Sequence, residues 1–541
     1  MDPFEFERIA GTTWAYLSSL LMLALFFKFN RFWSFRNFDL ILIILLAPGL
    51  LMVEGGKRWV LNYDAQQAAV VRAIEKNKAE NSNSDEASND ATNTTSKTNL
   101  NSSADETTLK VTTSRIKDDT PNNVLDDNTE TTPVDLSSSM DNAKPDPLKP
   151  KNTLGYEYQR LGYYWLFIVG AIMMVRLLID PSLTRRPLLE PNLSVGGLVF
   201  FACSLMIFLF ANIITSEPTP EDLRGARNAV KLIQREAAGD SGAIELRQRG
   251  PGYTLFNLIP IIPSFESGGE ILKTDADQQA NMSRYVIAAK SLAIVSQMLI
   301  VLGLVAFCHY NYNNFYVGVG TATVYLMLPY TAIFTGHVLH VLPAALILWA
   351  MVSFRRPMVA GILFGFATGV SYYPIFLLAL WASFYWKRGV GRFMIGTAVS
   401  LSICIGGLAF TSIDTMDFFH QVQAMFGFWS PIMDGLDGIW ALGWNQWWRL
   451  PLLVAFVLFC VSFVAWPSEK NIGTLASYSA AIMVAVQFWH GFGGGLYMGW
   501  YMPMVLLVVF RPNLNGRVAL AELRESKRPH RESPEDLLPT S

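Results

Sequence analysis

Two acidic residues in the segment 216–284 have the side chains that proton transfer requires. Glu221 and Asp222 follow shortly after an apolar run that ends at Thr215. A carboxylate at the edge of a membrane is partly desolvated, so it binds a proton more tightly and suits the role of a general base. The same residues could instead begin a helix over 221–236, since acidic side chains favour a helix N-terminus. The sequence leaves both interpretations open, with Asp222 and Glu221 as candidate catalytic residues.

Two histidines form a second group of candidates. His337 and His340 are three residues apart and share a helical face, at the turn between the apolar runs 316–334 and 337–354. No third metal ligand is close in sequence and the four cysteines lack CxxC spacing, so we predict no metal site and no disulfide framework. Because ionisable groups at the head of a membrane span are often functional, His337 is a candidate for catalysis or substrate contact. The sequence identifies no cofactor.

Cationic and aromatic residues mark three further segments. Arg284 and Lys290 lie at the beginning of the apolar run 285–308, where a long cationic side chain usually snorkels to the membrane surface. The alternative is that the cation holds a lipid phosphate, which needs a fixed positive charge. Tyr253 belongs to a short Pro-Gly-Tyr piece that we predict to lie on the membrane, and Tyr373 to a Tyr-Tyr-Pro turn typical of an interfacial aromatic belt.

The elements that must hold these side chains are membrane helices. Of the 541 residues, 51% are hydrophobic and only 16% are charged, whereas a soluble domain has about 25% charged residues. Several apolar runs reach the length of about 20 residues that a hydrocarbon core requires of a helix. The predicted fold class is therefore an all-α, polytopic transmembrane protein surrounded by membrane lipids. The net charge of −2 gives no indication of a nucleic-acid partner.

Thirteen apolar runs are candidate membrane spans. They lie at about 9–27, 38–53, 162–179, 194–215, 285–308, 316–334, 337–354, 358–373, 374–386, 393–413, 450–466, 472–489 and 498–510. Lysine and arginine residues concentrate after odd-numbered spans, for example at Arg355 and Arg356. Because cytoplasmic loops carry the excess of basic residues, we expect the N-terminus outside and the C-terminus in the cytoplasm. We expect a multi-pass protein of the plasma membrane.

This topology divides the chain into five parts. They are a two-helix membrane segment (1–53), an extracytoplasmic loop (54–161), the third span with a cytoplasmic turn (162–193), the main membrane domain (194–510) and a cytoplasmic tail (511–541). We predict disorder over about 77–150, because this polar stretch cannot bury enough apolar surface to offset its ordering entropy. Residues 65–80 could extend the second span as a helix. The outward loop 216–284 contains apolar and aromatic residues and should fold.

Several short motifs occur in a fixed order between residues 194 and 413. They are the acidic start of the 216–284 loop, Gly-Tyr-x-x-x-x-x-x-Pro, Ser-Arg-Tyr, Leu-Pro-Tyr…Thr-Gly-His, Arg-Arg-Pro-Met-Val-Ala-Gly-Ile-Leu-Phe-Gly and Tyr-Pro. In this order they resemble the GT-C class of integral-membrane glycosyltransferases, and most closely its polyprenyl-phosphate-mannose-dependent mannosyltransferase branch. The sequence departs from that pattern at the acidic site, which reads Pro-Glu-Asp, and at Ser371, where many relatives have lysine.

The resemblance implies a GT-C-like fold with an active site that faces outward. It implies a transferase that moves a sugar, mannose in this branch, from a polyprenyl-phosphate donor to an extracytoplasmic acceptor. Carried onto this chain, it makes Asp222 the base that deprotonates the acceptor hydroxyl, with Glu221 next, and gives His337 a place beside the reacting groups. Arg284 would lie near the leaving phosphate. The residues that contact substrate would be Arg284, Tyr253 and Tyr373.

Two other functions are compatible with the sequence. A transporter or flippase would use the polar turns as gates, although such proteins often have two related halves and charged residues in mid-span, and neither is evident. A non-catalytic membrane scaffold could present the 54–161 loop outside. An enzyme requires the 216–284 loop and the turns at 337 and 373 to surround one outward cavity, whereas a transporter requires a path through the bilayer.

Overall fold

The computed structural model describes most of the membrane part of the chain. The described residues are 11–90, 153–183, 189–234, 249–261, 275–387, 389–409, 412, 415–426, 436–467, 470–491 and 496–512. All regular structure within these ranges is helical, and none of these residues lies in a β-strand. The prediction of an all-α protein is confirmed. Most of the predicted tail 511–541 lies outside the described residues.

The α-helices are numbered in chain order over the described residues. They are α1 (Gly11–Phe26), α2 (Phe35–Asp90), α3 (Thr153–Ile179), α4 (Val195–Thr215), α5 (Pro220–Gln234), α6 (Gly252–Leu258), α7 (Asp275–Tyr312), α8 (Phe315–Met327), α9 (Pro329–Ile333), α10 (Val338–Val352), α11 (Pro357–Val370), α12 (Leu378–Tyr385), α13 (Val390–Ala409), α14 (Thr415–Phe426), α15 (Arg449–Ala465), α16 (Ile472–Trp489) and α17 (Met502–Val509). Short 3-10 helices lie at Phe29–Arg31, Asp180–Ser182, Tyr373–Leu377, Gly438–Ala441, Gln446–Trp448 and Met498–Trp500.

Seven of these helices are long and apolar enough to cross a membrane. They are α2, α3, α4, α7, α13, α15 and α16. Shorter apolar helices of 10–17 residues include α1, α8, α10 and α11. The prediction of a multi-pass membrane protein is therefore confirmed at this coarser level. Each of the thirteen predicted runs contains a helical segment, but only seven of the described helices have the full length.

One predicted span is interrupted in the structure. The apolar run 316–334 is not a single helix, because α8 ends at Met327 and α9 begins at Pro329. A proline cannot donate a backbone hydrogen bond and restricts the residue before it, here Leu328, to an extended conformation. Leu328 has φ −58° and ψ 132°, which redirects the chain toward the turn that precedes α10. The run 316–334 therefore forms one helix and an angled short helix.

The described residues within 57–156 belong to one unit of the chain, and the described residues before and after them belong to another. The helix α2 continues through Asp90, so it includes the predicted extension over 65–80. Residues 77–90, for which we predicted disorder, are also part of this helix. The remaining part of the segment predicted to be disordered, 91–150, lies outside the described residues.

Glycine residues allow α11 and α13 to pack closely together. Gly361 and Gly365 are four residues apart on α11, and small residues at this spacing let two membrane helices approach closely. A β-carbon at Gly361 would lie 2.2 Å from the Phe393 carbonyl oxygen, and one at Gly365 would lie 2.0 Å from Ser400 Oγ. No larger residue fits between the backbones. This contact fixes α11, which leads directly into the turn at Tyr373.

The helices α16 and α17 connect two ends of the helical assembly. α16 begins near the guanidinium of Arg511, against which Gly473 lies, and ends beside His490. α17 runs back from Met502 to Val509 and is followed by Arg511. We call these the Arg511 end and the His490 end. With 18 residues, α16 separates the two ends by about 27 Å at 1.5 Å per residue.

Several of the predicted basic loops share the Arg511 end. The loop before α2 reaches it because Arg36 donates to the Val509 and Arg511 carbonyl oxygens at 2.9 Å. The Tyr385 hydroxyl donates to the Phe354 carbonyl oxygen at 2.7 Å, which joins the end of α12 to the Arg355–Arg356 turn. The Ser383 hydroxyl in turn donates to the Val464 carbonyl oxygen near the end of α15. These contacts agree with the regular alternation of basic loops in the sequence.

A buried ionic cluster holds the Arg511 end together. The Arg176 guanidinium donates to both carboxylate oxygens of Asp39 at 2.6 Å and to Asp180 Oδ1 at 2.8 Å. Arg511 Nη2 lies 3.0 Å from the other oxygen of Asp180. All four side chains are buried. The cluster therefore joins α2, α3 and the segment after α17 through paired charges.

Candidate functional site

Asp222 lies in the first turn of α5 and helps to begin that helix. The Thr219 hydroxyl donates to Asp222 Oδ2 at 2.6 Å and accepts the Asp222 backbone N–H at 3.3 Å. The second of these bonds satisfies one backbone N–H that the first turn of a helix leaves without a partner. Pro220 occupies the first helical position, where its fixed φ suits a helix start. The helix-starting interpretation of Asp222 thus describes its local structure.

The Asp222 carboxylate also joins α5 to the turn before α10. The backbone N–H of Val338 donates to Asp222 Oδ1 at 3.2 Å, and His337 Nδ1 lies 3.6 Å from Oδ2. Asp222 is only 3% exposed, whereas the His337 side chain is 30% exposed. Burial raises the pKa of Asp222, and the nearby His337 and the Thr219 hydrogen bond oppose that change. Asp222 is therefore a buried acid behind a partly exposed histidine.

Buried hydrogen bonds brace the turn that presents His337. The backbone N–H of His337 donates to the Phe334 carbonyl oxygen at 3.1 Å. The Gln297 side chain donates to the Thr335 hydroxyl at 3.4 Å and accepts the Tyr325 hydroxyl at 2.9 Å. Because these groups belong to α7 and α8, the turn is fixed from two neighbouring helices.

Glu221 is paired with an arginine from a later part of the loop. Arg249 Nη2 lies 2.9 Å from Glu221 Oε2, and Arg249 Nη1 donates to the Glu221 carbonyl oxygen at 3.0 Å. The guanidinium lies over the Tyr253 ring at 5.1 Å from its centroid. The Glu221 side chain is 54% exposed, so this ion pair stands at the surface of the site while Asp222 lies beneath it.

Tyr253 packs inside the loop. Its ring is buried below Arg249 and beside Gly225 of α5, where a β-carbon would lie 2.4 Å from the ring. Tyr253 therefore packs α6 against α5, and its ring is too deeply buried to contact a ligand.

A glycine brings the same loop into contact with α11. The backbone N–H of Gly250 donates to the Val370 carbonyl oxygen at 3.1 Å. A β-carbon on Gly250 would lie 1.9 Å from the Gly369 carbonyl oxygen, so only glycine permits this approach. Ser371 follows Val370 directly and begins the turn that contains Tyr373. The 216–261 loop thus touches both turns that the sequence singled out.

Tyr373 belongs to a group of aromatic and histidine side chains at the His490 end. We call the following residues the aromatic cluster: Tyr330, His340, Tyr373, His490, Tyr497 and Trp500. Tyr373 lies 4.4 Å from His490 and 4.9 Å from Trp500 between ring centroids. Tyr497 stacks on Trp500 at 4.1 Å and on His340 at 4.5 Å. The Tyr330 hydroxyl is hydrogen-bonded to His340 Nδ1.

His490 and Tyr497 of the aromatic cluster have shifted pKa values. Burial lowers the pKa of His490 from 6.5 to about 3, and the charge of Arg449 adds to this effect. Burial raises the pKa of Tyr497, and the negative charge of Glu221 raises it further. Asp222 also affects the pKa of Tyr497. The charges of Glu221 and Asp222 therefore act on this member of the aromatic cluster.

Arg284 does not join this group through any contact of the described residues. It lies in the early part of α7, where the adjacent Tyr285 packs against the α5 residues Ala226, Ala229 and Val230. Lys290 donates to the Ile214 carbonyl oxygen at 2.6 Å and so binds the end of α4. The arginine beside the acids is Arg249.

The sequence did not mark Arg249, His490 or Tyr497 as neighbours of the site. Arg249 lies in a polar stretch with no motif, and its partner Glu221 is 28 residues away. His490 and Tyr497 meet His340 of α10 only because the end of α16 and the segment before α17 pack against that helix. A signal for His340 was present, since it shares a helical face with His337.

Within the described residues, the side chains of the site do not form a metal-binding group. No group of three or more histidine, cysteine or acidic side chains in those ranges is placed to hold a metal ion. Comparison of the chain with protein-family models, with curated proteins and with solved structures finds no match.

Proposed function

We propose that this protein is a membrane glycosyltransferase that moves a sugar from a polyprenyl-phosphate donor to an extracytoplasmic acceptor, with mannose as the first candidate sugar. The observation that supports this proposal is the convergence of three separate segments at the His490 end. Asp222 joins the 216–261 loop to the turn at His337, and Gly250 joins the same loop to the turn at Tyr373. An enzyme requires this convergence of loop and turns around one site.

The converging groups have the chemistry that glycosyl transfer uses. The Asp222–His337 pair can remove a proton from an acceptor hydroxyl, and a positioned base typically contributes about 10²–10⁴-fold to a rate. A fixed cation stabilises the phosphate as it departs. Arg249 is the cation nearest the acids, and Arg284 on α7 is a second candidate for the polyprenyl-phosphate group. In this proposal Tyr373 contributes through the aromatic cluster.

In this proposal the His490 end faces the outside of the plasma membrane, and the Arg511 end faces the cytoplasm. Thirteen crossings then give an outside N-terminus and a cytoplasmic C-terminus, and the basic loops lie on the cytoplasmic side. A lipid-linked donor fits this location, because its tail can lie among the apolar helices while its phosphate remains at the interface.

Donor use tests the proposed function directly. Purified protein in lipid nanodiscs is incubated with a panel of polyprenyl-phosphate sugars and membrane extract as the source of acceptor, and released polyprenyl phosphate is measured by mass spectrometry. We expect release from one donor, and a loss of about 10²–10⁴-fold in Asp222→Asn. Glu217→Gln, at an exposed acidic residue outside the site, should keep the wild-type rate. Failure with every donor contradicts the function, whereas a fully active Asp222→Asn contradicts the site.

Labelling of single cysteines tests the orientation. In a background with the exposed Cys203 replaced by serine, Trp447→Cys reports on the His490 end and Ser353→Cys on the Arg511 end. An impermeant maleimide added to intact cells should label Trp447→Cys alone. Labelling of Ser353→Cys alone reverses the proposed orientation.

A further inference from the structure

We propose that His337 accepts the proton from the acceptor hydroxyl and that Asp222 is a positioning residue that acts through His337. This inference rests on the proposed glycosyl transfer and divides its acid–base chemistry between two residues. The basis is the arrangement of the pair: a buried carboxylate whose contacts are all to protein, behind an imidazole that reaches the surface of the site.

Both oxygens of Asp222 face protein groups. Oδ1 accepts the Val338 backbone N–H at 3.2 Å, and Oδ2 accepts the Thr219 hydroxyl at 2.6 Å. His337 Nδ1 lies on the same side as Oδ2, at 3.6 Å. With 3% of the residue exposed, an acceptor hydroxyl could reach this carboxylate only by displacing Thr219 or the start of α10. Asp222 is therefore closed to a sugar acceptor.

His337 has the complementary properties. Its side chain is 30% exposed, and its backbone is fixed by hydrogen bonds to Phe334 and His340, each 3.1 Å long. Its ring lies 5.3 Å from that of Phe334 and 5.4 Å from that of His340. With Nδ1 directed at Asp222, Nε2 is the nitrogen left for a ligand, and it has no hydrogen-bond partner among the described residues. The Nδ1–Oδ2 contact of 3.6 Å is longer than a hydrogen bond; in the proposed arrangement it favours the tautomer in which Nδ1 carries the proton and Nε2 is the acceptor.

The proposed step conserves atoms and charge. The acceptor oxygen attacks the anomeric carbon of the donor sugar and its proton passes to His337 Nε2. The bond between that carbon and the phosphate oxygen breaks, and its electron pair leaves with polyprenyl phosphate. The imidazolium that forms is stabilised by the Asp222 carboxylate and then releases its proton to water. The other titratable or charged groups around the pair are Glu221, Arg249, His340 and Tyr497.

Chemical rescue distinguishes the two residues. We expect His337→Ala and Asp222→Ala each to lower turnover by about 10²–10⁴-fold. Added imidazole should restore turnover at least tenfold in His337→Ala, because a soluble base can enter the opened surface site. Formate should leave Asp222→Ala unchanged. His420→Ala, at an exposed histidine on α14, is the control and should respond to neither compound. Rescue of Asp222→Ala by formate, with no rescue of His337→Ala by imidazole, overturns the assignment.

The pH dependence of turnover gives a second readout. If His337 is the acceptor, the acidic limb of the pH–rate profile should vanish in His337→Ala and persist at a lower plateau in Asp222→Asn. Loss of the limb only in Asp222→Asn would assign the proton to the carboxylate and contradict the proposal.

A measurement without substrate separates this inference from the proposed function. Nitrogen-15 NMR of histidine-labelled protein, with the His337 signal assigned from its absence in His337→Ala, reports the tautomer. We expect the proton on Nδ1 in the wild type and a shift toward Nε2 in Asp222→Asn. An unchanged tautomer contradicts the positioning role whatever the turnover. If the tautomer shifts as expected but no donor supports transfer, the pairing of Asp222 with His337 is upheld and the glycosyltransferase function is contradicted.

Discussion

Buried acidic residues lie at both ends of the helix pair α16–α17, two at the Arg511 end and one at the His490 end. Their partners differ. At the Arg511 end, Asp39 is 4% exposed and Asp180 is fully buried. Each has a guanidinium within 3.0 Å, from Arg176 or Arg511. At the His490 end, Asp222 is equally buried, but the nearest guanidinium, that of Arg249, binds Glu221 instead. The partners of Asp222 are the Thr219 hydroxyl, the Val338 backbone N–H and the His337 side chain.

The difference shows that burial alone does not define the role of an acidic residue. Arginine guanidinium groups pair with Asp39 and Asp180 and join the helices that carry them. Asp222 instead has a hydroxyl, a backbone N–H and a histidine as partners, and burial raises its pKa. Buried acids of that second kind cluster at functional sites. The first set is therefore structural, and the second is suited to proton transfer.

Removal of Arg176 should have the largest effect on stability. Arg176→Gln removes the guanidinium that binds both oxygens of Asp39 and one of the two that bind Asp180, and breaking a buried ion pair costs about 3–5 kcal/mol. We expect a lower midpoint in thermal unfolding in detergent, followed by tryptophan fluorescence, and less protein in the membrane. Arg160→Gln, at an exposed position of the same helix, should unfold like the wild type. Asp222→Asn should also retain its folded structure, so equal losses in Arg176→Gln and Asp222→Asn would remove the distinction between the two ends.

A smaller loss is expected from Gly250→Ala at the other end. The new β-carbon would lie 1.9 Å from the Gly369 carbonyl oxygen, so the loop must move away from α11, at about 1–3 kcal/mol for overpacking. We expect lower stability in the same unfolding assay and lower turnover of the proposed reaction. Gly196→Ala on α4, where nothing lies within 4 Å of the new atom, should be at least as stable as the wild type. Full turnover in Gly250→Ala would mean that the site does not depend on this contact.

The smallest effect concerns His490 in acid. Its pKa is lowered from 6.5 to about 3, so the unfolded chain binds a proton at a higher pH than the folded protein does. The stability that this histidine contributes is complete above pH 6.5 and is lost as the pH falls toward 3. Near pH 5.5, one unit below the unfolded value, the loss is about 1.4 kcal/mol.

Comparison of variants isolates this contribution. The difference in unfolding midpoint between pH 7.5 and pH 5.5 should be smaller in His490→Gln than in the wild type, because glutamine does not titrate. His420→Gln, at an exposed histidine, should retain the wild-type difference. An identical acid response in wild type and His490→Gln would show that His490 is accessible to protons in the folded state.

Most of the helices could be predicted because lipid selects them by length and apolar composition. The candidate span 316–334 is interrupted at Pro329, a break that the proline in the sequence indicates. The close packing of α11 and α13 had a signal in Gly361 and Gly365. These glycines did not indicate that α13 is the helix against which α11 packs, because that depends on contacts throughout the assembly.

The candidate site was predictable only in part. Asp222 and His337 could be named from their positions next to apolar runs, and the structure brings them together. Arg284 and Tyr253 were named as substrate contacts through the resemblance, but the described contacts leave Arg284 apart and bury Tyr253 below Arg249. A sequence gives the position of a side chain along one element, whereas burial and direction depend on the neighbouring elements.

By itself, the sequence determined that this chain forms apolar membrane helices with basic residues concentrated in alternate loops, because both properties are sums over local composition. The tertiary structure alone decided which charges meet. Asp180 and Asp222 are both acids at the edge of an apolar helix, yet one meets two arginines and the other a histidine and a helix start. Ion pairs and hydrogen bonds act over a few ångströms, so residues distant in sequence acquire their chemistry only when packing brings their atoms together.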